Sequence, residues 1–335
     1  MRQMINMPLS RENRIQYDNW AGLYSDLKQL RIQGIEAIWG GEDILEAVPR
    51  ELVVGYHLIF FADWLDFYRG DWSALKQKFG SVDAARDFYG GTNGCWLLEQ
   101  FRQDLVRAKS LQAQYVVFHV TDISIEETHL YRWLHSHEEV IDTAVEVINE
   151  LLDGQEWPFL FLVENQWWPG FTFTDPLLTE RLIDGIHYAA KGILLDTGHL
   201  MNTEPRLQTQ RDGIHYIHQV LDRHGSLCRQ IRAVHFHQSL SGTFVRDHVG
   251  HLPPGFHQMD YLQKYKVSYE HILHIDRHRP WTDPMARSII DRIAPDYLTH
   301  ELAAKDRTER LECTHRQIET LAEPVGRSKL WRSHS

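Results

Sequence analysis

Residues 138–164 read EEVIDTAVEVINELLDGQEWPFLFLVE, and this stretch decides the fold. Its first part sets Val140, Ile141, Ala144, Val145, Val147, Ile148 and Leu151 three and four apart, so the spacing predicts a helix over 138–153. A polar turn follows, then FLFLVE (159–164), a short apolar run of the kind found in a parallel strand covered on both faces. One helix feeding one buried strand is an αβ unit, and the unit recurs along the chain. Further strands are predicted at 2–7, 35–39, 52–60, 115–120, 192–196, 231–237 and 297–301. Helical patterns separate them at 21–32, 93–111, 176–186, 209–225, 283–294 and 308–322. Eight alternations fit a closed (β/α)8 barrel better than an open doubly wound sheet.

Two stretches exceed the minimal barrel: 61–92 after the third strand and 238–275 after the seventh. Loops of that length are uncommon unless functional or disordered, and both leave the strand ends where barrel enzymes build their sites. The reading is one TIM barrel domain over 1–323, with 238–275 inserted and 324–335 a loose tail. A composition of 43% hydrophobic and 24% charged residues excludes a disordered or fibrous chain. The odd set Cys95, Cys228 and Cys313 argues against a disulfide framework. No signal-peptide core opens the chain and no apolar run reaches membrane-spanning length, so a cytoplasmic protein without a membrane partner is expected. With 35 Lys and Arg against 46 Asp and Glu, the net charge of −11 disfavours non-specific nucleic-acid binding without excluding a local basic groove. Nothing in the sequence sets the oligomeric state.

Histidine is abundant, 21 residues, and its placement is informative. His57, His119, Glu164, Asp196, His235 and Glu301 stand at or near the ends of six successive predicted strands, with His199 three residues past Asp196. Ending an apolar strand in an ionisable group costs several kcal/mol unless it is paired or metal-bound. Imidazole and carboxylate together suit Zn²⁺, while Mn²⁺ or Mg²⁺ would favour the carboxylates. Glu164, Asp196, His235 and Glu301 could hold one ion, and His57, His119 and His199 make more than one plausible.

These strand-end motifs resemble the xylose-isomerase-like superfamily and, within it, the endonuclease IV family, over about residues 35–322. The sugar phosphate isomerases and epimerases belong to the same group. The resemblance implies three zinc ions. Its histidine and glutamate positions fall on His57 in VGYHLIFF, His119 in VVFHV and Glu164 in FLVEN. Its Asp-x-x-His falls on Asp196 and His199, and its next histidine on His235 in AVHFH. Its Asp-Arg-His falls on Asp276, Arg277 and His278 in HIDRHRPW, and its last glutamate on Glu301 in LTHEL. It departs in the long stretch between His235 and Asp276 and in the aromatic segment Phe60, Phe61, Trp64, Phe67 and Tyr68.

The expected activity is therefore a metal-dependent hydrolase that uses metal-activated water on a phosphoester or sugar-phosphate-like substrate, with two or three ions. Glu164 would bridge two of them and Glu301 would stand near the leaving group. The alternative is a sugar or sugar-phosphate isomerase or epimerase with one divalent ion, where Glu164 and Glu301 exchange a proton. A non-enzymatic binding module gives no reason for ionisable groups at every strand end. Trp167 and Trp168 could stack on a substrate ring or simply cover the mouth, and Arg277 could meet a phosphate or form a salt bridge. Strand alternation turns His237 away from His235, which predicts a supporting or outward position. His248 and His251 read as chance histidines of a loop, and His271 and His274 as a solvated helix face.

Overall fold

In the computed structural model, the structure describes residues 1–41 and 48–322; the proposed tail, 324–335, lies outside the described residues. The apolar runs form eight parallel strands: β1 (Arg2–Leu9), β2 (Gly34–Trp39), β3 (Val53–His57), β4 (Tyr115–His119), β5 (Leu160–Glu164), β6 (Lys191–Asp196), β7 (Ile231–His235) and β8 (Tyr297–His300). They pair in sequence order, and β1 closes on β8 to complete the barrel. Met4, Val54, Tyr115, Val117, Leu162, Leu194 and Ala233 form an apolar cluster contributed by the strands. A larger core, with Leu23, Leu97, Leu105, Val147, Ile148 and Ile217 from the helices, packs against the strands' other residues. Gly55 makes room for the Tyr115 ring, since a Cβ there would overlap it.

Two strands stop two or more residues sooner than predicted, for reasons visible in their hydrogen bonds. β3 ends at His57 because the Asp104 carboxylate takes the next free backbone donor, Ile59 N–H, at 2.7 Å. β7 ends at His235, and the backbone N–H of His237 donates to Thr197 Oγ1 instead (3.2 Å). Gln238 then bridges antiparallel to Arg279, which returns the long excursion after β7 to the same barrel end.

Both long stretches are largely helical. The one after β3 forms helices Trp64–Arg69, Trp72–Phe79 and Val82–Tyr89. Each stops at a glycine with φ of +71, +84 or +72° (Gly70, Gly80, Gly90), the left-handed end that glycine adopts without strain. The one after β7 forms Gly242–His248 and Tyr261–Ile275. Tyr261 joins the two stretches: its ring stacks on Phe79 (4.0 Å) and meets Phe88 edge-on (4.9 Å). Beneath them Lys78 Nζ pairs with Asp63 Oδ1 (2.6 Å) and Asp66 Oδ2 (2.7 Å), and His135 Nε2 lies 3.2 Å from Asp66 Oδ1. Among the described residues, no helix is long and apolar enough to cross a membrane. The three cysteines are free thiols.

Candidate metal centre

Register brings the strand-end residues together. His119 of β4 sits opposite Glu164 of β5, and Asp196 of β6 opposite His235 of β7. Facing residues of paired strands point the same way, so each pair projects to one side of the sheet. Asp196 also explains the Asp-x-x-His spacing: it caps helix Thr197–Asn202, where Oδ1 accepts from His199 N–H at 2.6 Å. That bond fixes His199 next to the strand end while Oδ2 stays 2.9 Å from His237 Nε2.

Three groups of ligand-type atoms result, each gathered within 4.8 Å: His57, His119 and Glu164; Glu164, Asp196, His235 and Glu301; and His199, His237, Asp276 and His278. All nine candidates from the sequence lie in these groups. Glu164 belongs to two of them. Its Oε2 lies 3.1 Å from His57 Nε2 and 3.0 Å from His119 Nε2, and its Oε1 lies 3.3 Å from His235 Nδ1.

Four of the six histidines are held by their other nitrogens. His57 Nδ1 lies 2.8 Å from the Leu58 carbonyl, His199 Nδ1 3.0 Å from that of Asn165, and His278 Nδ1 3.1 Å from that of Glu301. His235 Nε2 meets Glu36 Oε1 at 2.8 Å, and Glu36 Oε2 accepts from Tyr115 Oη (2.6 Å) and Thr299 Oγ1 (3.0 Å). With those N–H groups donated outward, the second nitrogen of each ring faces the carboxylates, the usual outer support of metal-ligating histidine.

Imidazoles are the only basic side chains that meet the acids of this centre among the described residues. Glu36, Glu164, Asp196, Asp276 and Glu301 are buried or nearly so, and among the described residues no Lys or Arg forms an ion pair with any of them. Burial pushes the Glu164 carboxyl up, but His119 and His235 outweigh it and hold it well below the usual range. Burial likewise opposes ionisation of Asp276, where His278 and His199 prevail. His278 is driven by Asp276 and Glu301, against burial, up to about 9.

The atoms also converge without pairing. His235 Nδ1 lies 3.0 Å from Glu301 Oε2 and 3.3 Å from Glu164 Oε1, yet these three buried atoms make no hydrogen bond. Donor atoms that face a common centre, among buried carboxylates, fit divalent cations. Imidazole with carboxylate suits zinc, and the carboxylate-rich middle group also suits Mn²⁺ or Mg²⁺.

Two members escape a reading of the sequence. Alternation predicts His237 behind the sheet, but it lies past the end of β7, where alternation no longer applies, and it joins the third group. Gly198 leaves room for it, because a Cβ there would overlap its imidazole. Glu36 stands inside β2 rather than at its end; its only sequence signal is one carboxylate within GIEAIW (34–39). The Asp276–His278 pair comes together differently from an extended i, i+2 segment: His278 takes φ +43° and its Nε2 reaches Asp276 Oδ2 at 2.5 Å.

Other candidates fall as follows. Trp167 and Trp168 are buried beside the centre with ring centroids 4.2 Å apart, and Trp167 lies 5.0 Å from the His199 ring. Arg277 is exposed, and among the described residues no carboxylate pairs with it, so the salt-bridge reading does not hold. His248, His251 and His274 are exposed and outside the three groups. His271 departs from a solvated face: it is buried against His129 (4.3 Å).

A closed parallel barrel with carboxylates and imidazoles at its strand ends defines a class of metal-site barrel. The model of the xylose isomerase-like TIM barrel family matches residues 95–282, more than half of the chain, and the chain belongs to that family. Among solved structures, endonuclease IV from Thermus thermophilus aligns over 97% of this chain and 100% of its own, at 14% identity and TM-score 0.55. A D-tagatose 3-epimerase-like protein aligns over 96% and 97%, at 13% identity and TM-score 0.52. The IolI protein, solved with a zinc atom, aligns over 96% and 95%, at 13% identity and TM-score 0.50. At such identity the likeness is one of fold. No curated protein sequence matches the chain.

Proposed function

We propose that the chain is a metal-dependent hydrolase of phosphoesters. The observation that carries this reading is the third group, His199, His237, Asp276 and His278, which stands beside the two groups joined by Glu164. A one-ion isomerase needs only the middle group. A phosphoester displacement benefits from several cations around the attacking and leaving oxygens. Bound divalent ions, zinc first among them, would supply Lewis acidity toward phosphoryl oxygens and make water a stronger acid.

The chain's own residues set the geometry. Glu164, with one oxygen toward each of two imidazole sets, fixes the spacing between the first and middle groups. Glu36 holds His235 in one orientation. Glu301, whose Oε2 has no hydrogen-bond partner, stands where it can receive a proton or orient the departing oxygen. In the reaction, the oxygen of water bonds to phosphorus, the ester P–O bond breaks, and the alcohol leaves with one proton of the water.

The test is metal analysis joined to activity on 4-nitrophenyl phosphate esters. The double change Asp276→Ala/His278→Ala is expected to remove about one metal equivalent from a folded barrel and to lower turnover by orders of magnitude. Unchanged metal content in the double variant overturns the reading and moves the isomerase or epimerase, with Glu164 and Glu301 as its proton-exchanging pair, ahead of it.

A further inference from the structure

A cavity of about 210 Å³ opens beside the centre, and its lining joins His119, His199 and Asp276 to Ile123, Ile125, Trp168, Tyr269 and Ile272. The apolar part of this wall is built separately from the barrel core. Ile123, Trp167, Trp168, Val245 and Ile275 form their own buried cluster, with Ile272 packed against it. They come from the segments that follow β4, β5 and β7. The wall is therefore an independent construction on the barrel mouth.

Some of its polar atoms are engaged elsewhere, while the indole Nε1 of Trp168 is buried without a hydrogen-bond partner. Thr128 Oγ1 donates to the Ile125 carbonyl (2.7 Å), and Ser268 Oγ pairs with His129 Nε2 (3.0 Å). No Lys or Arg is among the residues that line it. The charged groups in the lining are those of the centre itself. A group that enters here meets aromatic and branched aliphatic carbon, with no cation to grip an anion away from the centre.

Size narrows the choice. An apolar cavity of about 150 Å³ accepts benzene, so the space here suits one ring with a small substituent. The helix Tyr261–Ile275 supplies Tyr265, Ser268, Tyr269 and Ile272 to one side of the wall.

We propose that this cavity selects a phosphoester whose alcohol is an uncharged, apolar, aryl-sized ring, seated against Trp168, Tyr269 and Ile272 with its phosphoryl group at His119, His199 and Asp276. This rests on the phosphoester reading above, and the experiment separates the two. Three probes are titrated calorimetrically into the metal-loaded protein: methylphosphonate, phenylphosphonate and phenol. Phenylphosphonate is expected to bind about ten- to a hundredfold more tightly than methylphosphonate, because only the ring is added. Phenol alone is expected to bind and to change the tryptophan fluorescence of the wild type more than that of Trp168→Phe. Ile272→Trp, which fills the cavity, should bring the two phosphonates toward equal affinity, and Tyr269→Ala, at a half-exposed position, should narrow the gap without threatening the fold. Equal affinity of the phosphonates for the wild type, or no binding of phenol, overturns the ring selectivity. Binding of phenol with no binding of either phosphonate instead overturns the phosphoester reading and leaves the ring site standing.

Discussion

Two buried clusters of charge lie in the same barrel mouth region and solve the same problem differently. Under the helices after β3, three acids, Asp63, Asp66 and Asp122, share Lys78 and His135. Burial raises Asp63 toward about 7, against Lys78. The centre at the strand ends gathers five carboxylates and, among the described residues, no Lys or Arg in an ion pair with them. The first cluster has a lysine of the chain at its heart; the second has only imidazolium, or a cation from outside, to meet its carboxylates. Buried charge alone does not mark a metal site. Buried carboxylate that faces ring nitrogens, with no Lys or Arg beside it, makes a candidate.

The comparison can be broken most severely at the first cluster. Lys78→Ala leaves its acids without their main cation and is expected to cost roughly 3–5 kcal/mol of stability, read from urea unfolding, with metal content unchanged. A variant as stable as the wild type would show that the cluster does not depend on its own cation. At the centre, Glu36→Gln weakens the hold on His235 and should lower metal affinity about 10- to 100-fold, measured against a chromogenic chelator, while the fold persists. Unaltered affinity would remove Glu36 from the supporting set.

The smallest effect concerns pH. His135 is raised to about 9, first by the Asp66 carboxylate 3.2 Å from its Nε2, with burial opposing. A histidine whose folded pKa lies above its unfolded value of about 6.5 contributes stability fully below that value. The contribution is lost as pH rises from about 6.5 through 9. The stability gap between wild type and His135→Gln should therefore be widest near pH 6 and shrink by pH 9.5; a gap that grows with pH contradicts the pairing.

The barrel is legible because each unit carries its own local period, and the strand-end ligands because each closes an apolar run with one ionisable residue. Glu36 is hidden by the same rule, since it interrupts a strand instead of ending one. Alternation misplaces His237 because it does not extend past the point where Thr197 takes over the backbone. Lys78 and Asp63 fall in a stretch that reads only as a long excursion after the third strand; the packing of helices Trp64–Arg69 and Trp72–Phe79 brings them together. The apolar cavity depends on three segments distant in sequence, of which only the Trp167–Trp168 pair stands out.

The aromatic join between the two long excursions carries a consequence for how such chains change over generations. Tyr261, from the excursion after β7, rests on Phe79 and Phe88 of the one after β3, and Tyr265 lies near Phe88 (5.8 Å). A lineage that shed either stretch would strip the aromatic cover from the other and open the mouth to water. The two are therefore expected to be inherited as one: among relatives with this architecture, a long third excursion should travel with a long seventh, and a shortened partner should come with polar residues where these rings now meet.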